Sequence, residues 1–81
     1  MNWFVYILLC SDGKSYVGCT GNLEQRMERH SKGQVEYTKG RLPIHLITYT
    51  VFTDKYLAFK FEKYLKSGSG RAFMQKRLLN N

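Results

Sequence analysis

Within VYILLCSDGKSYVGCTGNLEQRMERH, residues 5–30, four side chains interrupt an otherwise apolar pattern: Tyr6, Tyr16, Arg26 and His30. Phenols, a guanidinium and an imidazole are groups that hold anions and pass protons. Set where a core pattern expects hydrocarbon, they mark a candidate site. Each has an ordinary structural explanation as well. Arg26 would be a snorkelling rim residue, and His30 a hydrogen-bonded core histidine. Beside two phenols, those explanations are jointly weaker than they are singly.

The elements that must position these groups follow from the pattern around them. Residues 3–10, WFVYILLC, are apolar on both alternations. Such a strand should be covered on both faces, which predicts helices on either side of a sheet. Asp12-Gly13 is a hairpin signal, and SYVGC resumes the strand. A loop of Asp12-Gly13 alone would pair Leu9 with Tyr16 and send the two phenols to opposite faces. A Ser11-Asp12-Gly13 loop, with Gly13 left-handed as a bulge, pairs Leu8 with Tyr16 and brings both phenols to one face. The bulged register is the expected one. Thr20 or Asn22 caps a helix running to about Ser31, with Gly33 just beyond its end. Leu23, Arg26, Met27 and His30 share one face of it, and Glu24, Gln25, Glu28 and Arg29 take the outside.

Residues 33–43, GQVEYTKGRLP, form a polar, basic loop that reads either as a solvated connection or as a phosphate-contacting arm. Residues 45–52, HLITYTVF, make a third strand. Thr53 or Asp54 caps a second helix to about Lys66, with Leu57, Ala58, Phe61 and Leu65 as its buried stripe and Glu62 on the shoulder. The run KSGSG is expected to link to a short third helix, RAFMQKRLL, with Phe73, Met74 and Leu78 facing inward. Free N–H groups near Ser69, Gly70 and Arg71 are the alternative use of that run, as a phosphate seat.

The chain of 81 residues has room for one domain, taken as residues 1–81. Thirteen Lys and Arg against six Asp and Glu give a net charge of +7, which favours a polyanionic partner through counterion release. Two cysteines are too few for a disulfide scaffold, and no apolar run reaches the roughly 18 residues of a membrane span. A cytoplasmic chain with reduced thiols is expected. A zinc site from Cys10, Cys19, His30 and His45 is formally available, but it lacks the close cysteine pair of structural zinc sites.

In its β-β-α-β-α-α order and its polar positions, the sequence resembles the GIY-YIG nuclease family, and within it the small excinuclease-C-like members. Val5-Tyr6-Ile7 stands at the GIY position and Tyr16-Val17-Gly18 at the YIG position. Asn22-Leu23, Arg26 and His30 match the first helix, and Glu62 in FEKYLKSGSGR matches the metal-binding glutamate. Val5 replaces the glycine that names the motif, and Cys19 stands where several relatives carry lysine or tyrosine. The resemblance implies a small three-layer sandwich of a three-stranded antiparallel sheet flanked by helices. It also implies phosphodiester hydrolysis in DNA: Tyr6 near the water, Tyr16 orienting a phosphate oxygen, and Arg26 clamping the phosphate with His30 beside it. Glu62 would hold one Mg²⁺ or Mn²⁺.

A free phenol has a pKa of about 10, so Tyr6 needs help to act as a base at neutral pH. No second inward carboxylate is expected, which argues against a two-metal cluster. Lys39, Arg41, Lys66 and Arg71 are the expected outer contacts to the nucleic acid. The substrate is read as DNA with RNA left open, and specificity as coming from DNA structure or a protein partner, in repair or recombination. The alternatives are a non-cleaving nucleic-acid-binding module of the same fold, and an interaction protein whose basic face is incidental.

Overall fold

The computed structural model describes residues 1–79. It is built on β1 (Trp3–Leu9), which lies between β2 (Ser15–Thr20) and β3 (His45–Phe52) in an antiparallel sheet ordered β2-β1-β3. The central place of β1 explains why its sequence is apolar on both alternations: Val5, Tyr6, Ile7 and Leu8 are each no more than 2% exposed. Helix α1 (Leu23–Ser31) follows β2, and α2 (Lys55–Leu65) and α3 (Gly68–Arg77) follow β3. The order is the expected β-β-α-β-α-α.

The hairpin takes the bulged register. Leu8 pairs with Tyr16 and Tyr6 with Gly18, while Gly13 has φ +82° and gives its N–H to the carbonyl of Cys10. Directly opposed residues share a face, so Phe4, Tyr6, Leu8 and Tyr16 lie together on one side. Val5, Ile7 and Val17 form the other side and pack with Ala58, Leu65 and Met74. Burying each aliphatic side chain there contributes about 1.5–3 kcal/mol. The α1 face is covered less completely. Met27 lines an apolar groove with Leu42, Pro43 and the exposed Leu46, and Tyr49 and Val51 of β3 are exposed as well.

Each helix has a side-chain cap. Asn22 accepts from the N–H of Gln25, Asp54 from Tyr56 and Leu57, and Ser67 from Gly70. Three expectations need correcting. Leu57 is 52% exposed, because at about 100° per residue it lies a full step round α2 from Ala58 and falls outside the contact with the sheet. Phe73 is 37% exposed and packs on Tyr64 at the outer margin of the α2–α3 pair, with ring centroids 6.3 Å apart. KSGSG is no linker: Ser67 caps α3, and Gly68-Ser69-Gly70 are its first turn. Gly70 is buried there because a Cβ would overlap the backbone carbonyl of Tyr64.

Candidate active site

The site begins with a missing side chain. Gly18 on β2 lies opposite Tyr6, and a Cβ at that position would collide with Tyr6 Cζ and Oη. The phenol therefore crosses over β2 toward the sheet edge through space that only glycine leaves open. Gly18 is the last residue of Tyr16-Val17-Gly18, and making room for the phenol is its physical role.

At that end the phenol oxygen is 3.0 Å from Nε2 of His30, and Nδ1 of His30 is 2.7 Å from Oγ1 of Thr38. Tyr6, His30 and Thr38 are all fully buried. Arg26, one turn before His30, approaches the same phenol. Burial pushes the Tyr6 pKa up to about 12; a hydrogen bond from Arg26 opposes that rise, as does its charge. His30 is held below the ordinary imidazole range by burial and by the charges of Arg26 and Arg29, and so stays neutral. Arg26 and His30 are thus both turned to one point, as their helical spacing required.

Tyr16 stands in a pile of rings. Its centroid is 6.2 Å from Tyr6, 5.2 Å from His30 and 5.2 Å from Tyr37. The guanidinium of Arg41 lies 4.3 Å over Tyr37 and 2.9 Å from the carboxylate of Asp12. The loop of residues 33–43 is therefore tied to the hairpin by Asp12–Arg41 and to the site by Thr38 and Tyr37. In the sequence Tyr37 is marked only as an aromatic interleaved with Lys39 and Arg41 in a basic loop, and Thr38 has no periodic or motif signal at all.

Glu62 comes from α2, in the opposite layer to α1, and its charge acts on both Tyr6 and Cys19. Glu62 thus acts on the site through its charge, from the layer opposite α1, and does not share the α1 face with the others. One of its oxygens is 3.1 Å from Lys66, and its side chain is 24% exposed. Cys19 is raised by burial and by Glu62, which keeps its thiol protonated at neutral pH. Among the described residues no three His, Cys, Asp or Glu side chains gather. A single partly exposed carboxylate with one oxygen outside its ion pair suits Mg²⁺ or Mn²⁺, which keep water and take phosphate oxygens as their other ligands.

Of the outer cations, Lys39 is paired with Glu36 at 3.4 Å and Lys66 with Glu62. Arg41 is engaged by Asp12 and Tyr37. Arg71 is exposed and gives its Nε–H to the carbonyl of Lys66 at 3.3 Å. Lys66 and Arg71 line a 240 Å³ pocket with Tyr16 and Tyr37, next to the buried chain.

With fold and site together, the chain belongs to the GIY-YIG catalytic domain family, which it matches over residues 2–77. That family is one of nuclease domains. Among its relatives, UPF0213 proteins of Staphylococcus aureus strains are 42% identical over 65 residues, which is 79% of this chain and 79% of theirs. The solution structure of a UPF0213 protein from Bacillus halodurans superposes with a TM-score of 0.61 at 38% identity, covering 94% of this chain and 82% of that one. No helix among the described residues is long and apolar enough to cross a membrane.

Proposed function

We propose that this chain is a DNA endonuclease that hydrolyses phosphodiester bonds with one divalent ion, Mg²⁺ or Mn²⁺, held by Glu62. It would act as a single domain in the cytoplasm, in repair or recombination. The observation that carries this reading is the buried 3.0 Å contact between Tyr6 and His30, with the charges of Arg26 and Glu62 acting on the phenol.

Hydrolysis needs an activated water and stabilised charge on the phosphate oxygens. A phenol held near pKa 12 does not ionise at neutral pH, so Tyr6 acts by relay. A proton of the water passes to the phenol oxygen while the phenol's own proton passes to His30 Nε2. The water oxygen bonds to phosphorus as the bond to the leaving oxygen breaks, and His30 ends as imidazolium. Arg26 is the group an arriving phosphate draws away from Tyr6, and its departure opens the phenol oxygen to the water. Its planar fork then clamps the phosphate, and Tyr16 orients one of the oxygens. The ion at Glu62 would supply Lewis-acid stabilisation of the phosphate charge. Lys39, Arg41, Lys66 and Arg71 would hold flanking phosphates, with specificity left to DNA structure or a protein partner.

One observation favours a second reading, a nucleic-acid-binding module that does not cut: Tyr6 has no exposed surface. The two separate in one assay. Purified protein is incubated with supercoiled, linear and branched DNA, and with RNA, in Mg²⁺, Mn²⁺ or chelator. Cleavage in the divalent ions that vanishes in chelator and in Tyr6→Phe supports the nuclease. Binding without cleavage in every arm refutes it in favour of the module.

A further inference from the structure

The buried chain through Tyr6, His30 and Thr38 ends, at one side, on a group that can only donate and, at the other, on one that can only accept. Arg26, whose guanidinium acts on the phenol from α1, has no acceptor to offer. The hydroxyl of Thr38 points at the carbonyl of Val35, 3.4 Å away, which has no proton to give. Between them the separations are 3.0 Å and 2.7 Å, and no buried polar side-chain atom among the described residues lacks a partner.

Only one arrangement of protons satisfies every member. Tyr6 O–H donates to His30 Nε2, His30 Nδ1–H to Thr38 Oγ1, and Thr38 O–H to the carbonyl of Val35. In the reverse arrangement His30 Nε2–H would donate to Tyr6, and the phenol proton would have no acceptor, because His30 Nε2 is the one hydrogen-bond partner of that oxygen among the described residues.

We infer that Thr38 is a positioning residue that holds His30 in the Nδ1–H tautomer, so that Nε2 is kept as the acceptor for the proton of Tyr6. Thr38 touches neither the water nor the phosphate. It acts through His30, and it lies in a loop that no motif marks. The catalytic consequence rests on the nuclease reading above; the tautomer does not. With Nε2 protonated, His30 could not receive the phenol proton, and the relay would stop at Tyr6.

Nitrogen-15 imidazole spectra of the labelled protein test the tautomer without any substrate. Wild type and Thr38→Ser, which keeps the hydroxyl, should show His30 with a protonated Nδ1. Thr38→Val, which keeps the shape and loses the acceptor, should show a mixture or the Nε2–H form. Single-turnover cleavage of branched DNA in Mg²⁺ should fall by about 10- to 100-fold in Thr38→Val, the usual cost of losing a group that orients a functional histidine. In Thr38→Ser it should stay within about threefold of wild type, and DNA affinity in chelator should be equal in all three. A protonated Nε2 in wild type overturns the assignment even if Thr38→Val does not fold. So does an unchanged His30 spectrum in folded Thr38→Val. The expected spectra without cleavage by any protein would uphold the lock and overturn the nuclease.

Discussion

Tyr6 and Gly18 face one another across β1 and β2, and the phenol fills the space that a side chain at Gly18 would take. The pair makes a testable unit. Gly18→Ala should cost about 1–3 kcal/mol in denaturant unfolding, the range for overpacking a close-packed site. It should also displace the phenol from His30, visible as altered ring shifts of Tyr6. In a Tyr6→Ala background the same substitution should cost little, because its collision partner has gone. Equal costs in the two backgrounds would show that the glycine does not make room for the phenol.

Two glycines of α3 give opposite signs. A Cβ at Gly68 meets nothing within 4 Å, so Gly68→Ala should stabilise by about 0.5–1 kcal/mol through helix propensity and a less flexible unfolded chain. A Cβ at Gly70 runs into the backbone of Tyr64 and Leu65, which has no rotamer to yield. Gly70→Ala should therefore destabilise by about 1–3 kcal/mol or more. Thermal unfolding of the two variants decides it, and a gain from Gly70→Ala would mean that α2 and α3 are not in the contact described here.

The same contrast shows what the sequence could convey. Element order, the bulged hairpin and the shared face of Arg26 and His30 were legible, because alternation, an Asp-Gly turn and helical spacing are local signals. Thr38 was not. Its partner is eight residues away on a helix, and a threonine in a polar loop looks the same whether it is solvated or buried against an imidazole. Leu57 and Phe73 misled for a related reason: spacing gives the direction of a stripe, but its width depends on where the neighbouring elements end. Glu62 was legible as a position, but its arrival from the far layer depends on α2 passing the β2 edge.

Acid should weaken the fold through His30. Its folded pKa lies below the unfolded value of about 6.5, so the unfolded chain binds the proton first. Above that value the residue contributes no slope. Below it, stability falls as pH falls, by at most about 1.4 kcal/mol per unit, until the folded pKa is reached. His30→Gln should lack this component. Unfolding free energies of both proteins between pH 5 and 8 would reveal it as a difference in slope; parallel curves would mean that His30 is charged or exposed in the folded state.

DNA binding should be steeply salt-dependent. For about four to six phosphate contacts, log K against log salt should have a slope of about −4 to −5. Arg71, exposed beside the pocket of Tyr16 and Tyr37, is the outer cation to remove: Arg71→Gln should lessen the slope by about one. Lys55, which lies over the rings of Trp3 and Phe59, serves as the control, and Lys55→Gln should leave the slope unchanged. Equal effects of the two substitutions would replace a localised track with a diffuse basic surface.

Glu62→Gln separates a metal ligand from a surface ion pair. The carboxylate is paired with Lys66 at 3.1 Å, and its side chain is only 24% exposed. Losing that pair should change stability by no more than about 1 kcal/mol, the usual worth of a solvent-accessible ion pair. The glutamine keeps the shape and can still accept from Lys66, so the site stays folded. If Glu62 holds the ion, divalent-dependent cleavage should fall by several orders of magnitude, while DNA binding in chelator stays level or tightens because a negative charge near the phosphate has gone. Raising Mg²⁺ should restore part of the rate, since a weakened site still fills by mass action. If Glu62 only partners Lys66, Glu62→Gln should have a small effect on both stability and cleavage. A Glu62→Gln protein that cuts at the wild-type rate at every Mg²⁺ concentration would remove the ion from Glu62 altogether and leave the relay of Tyr6 and His30 to be explained without it.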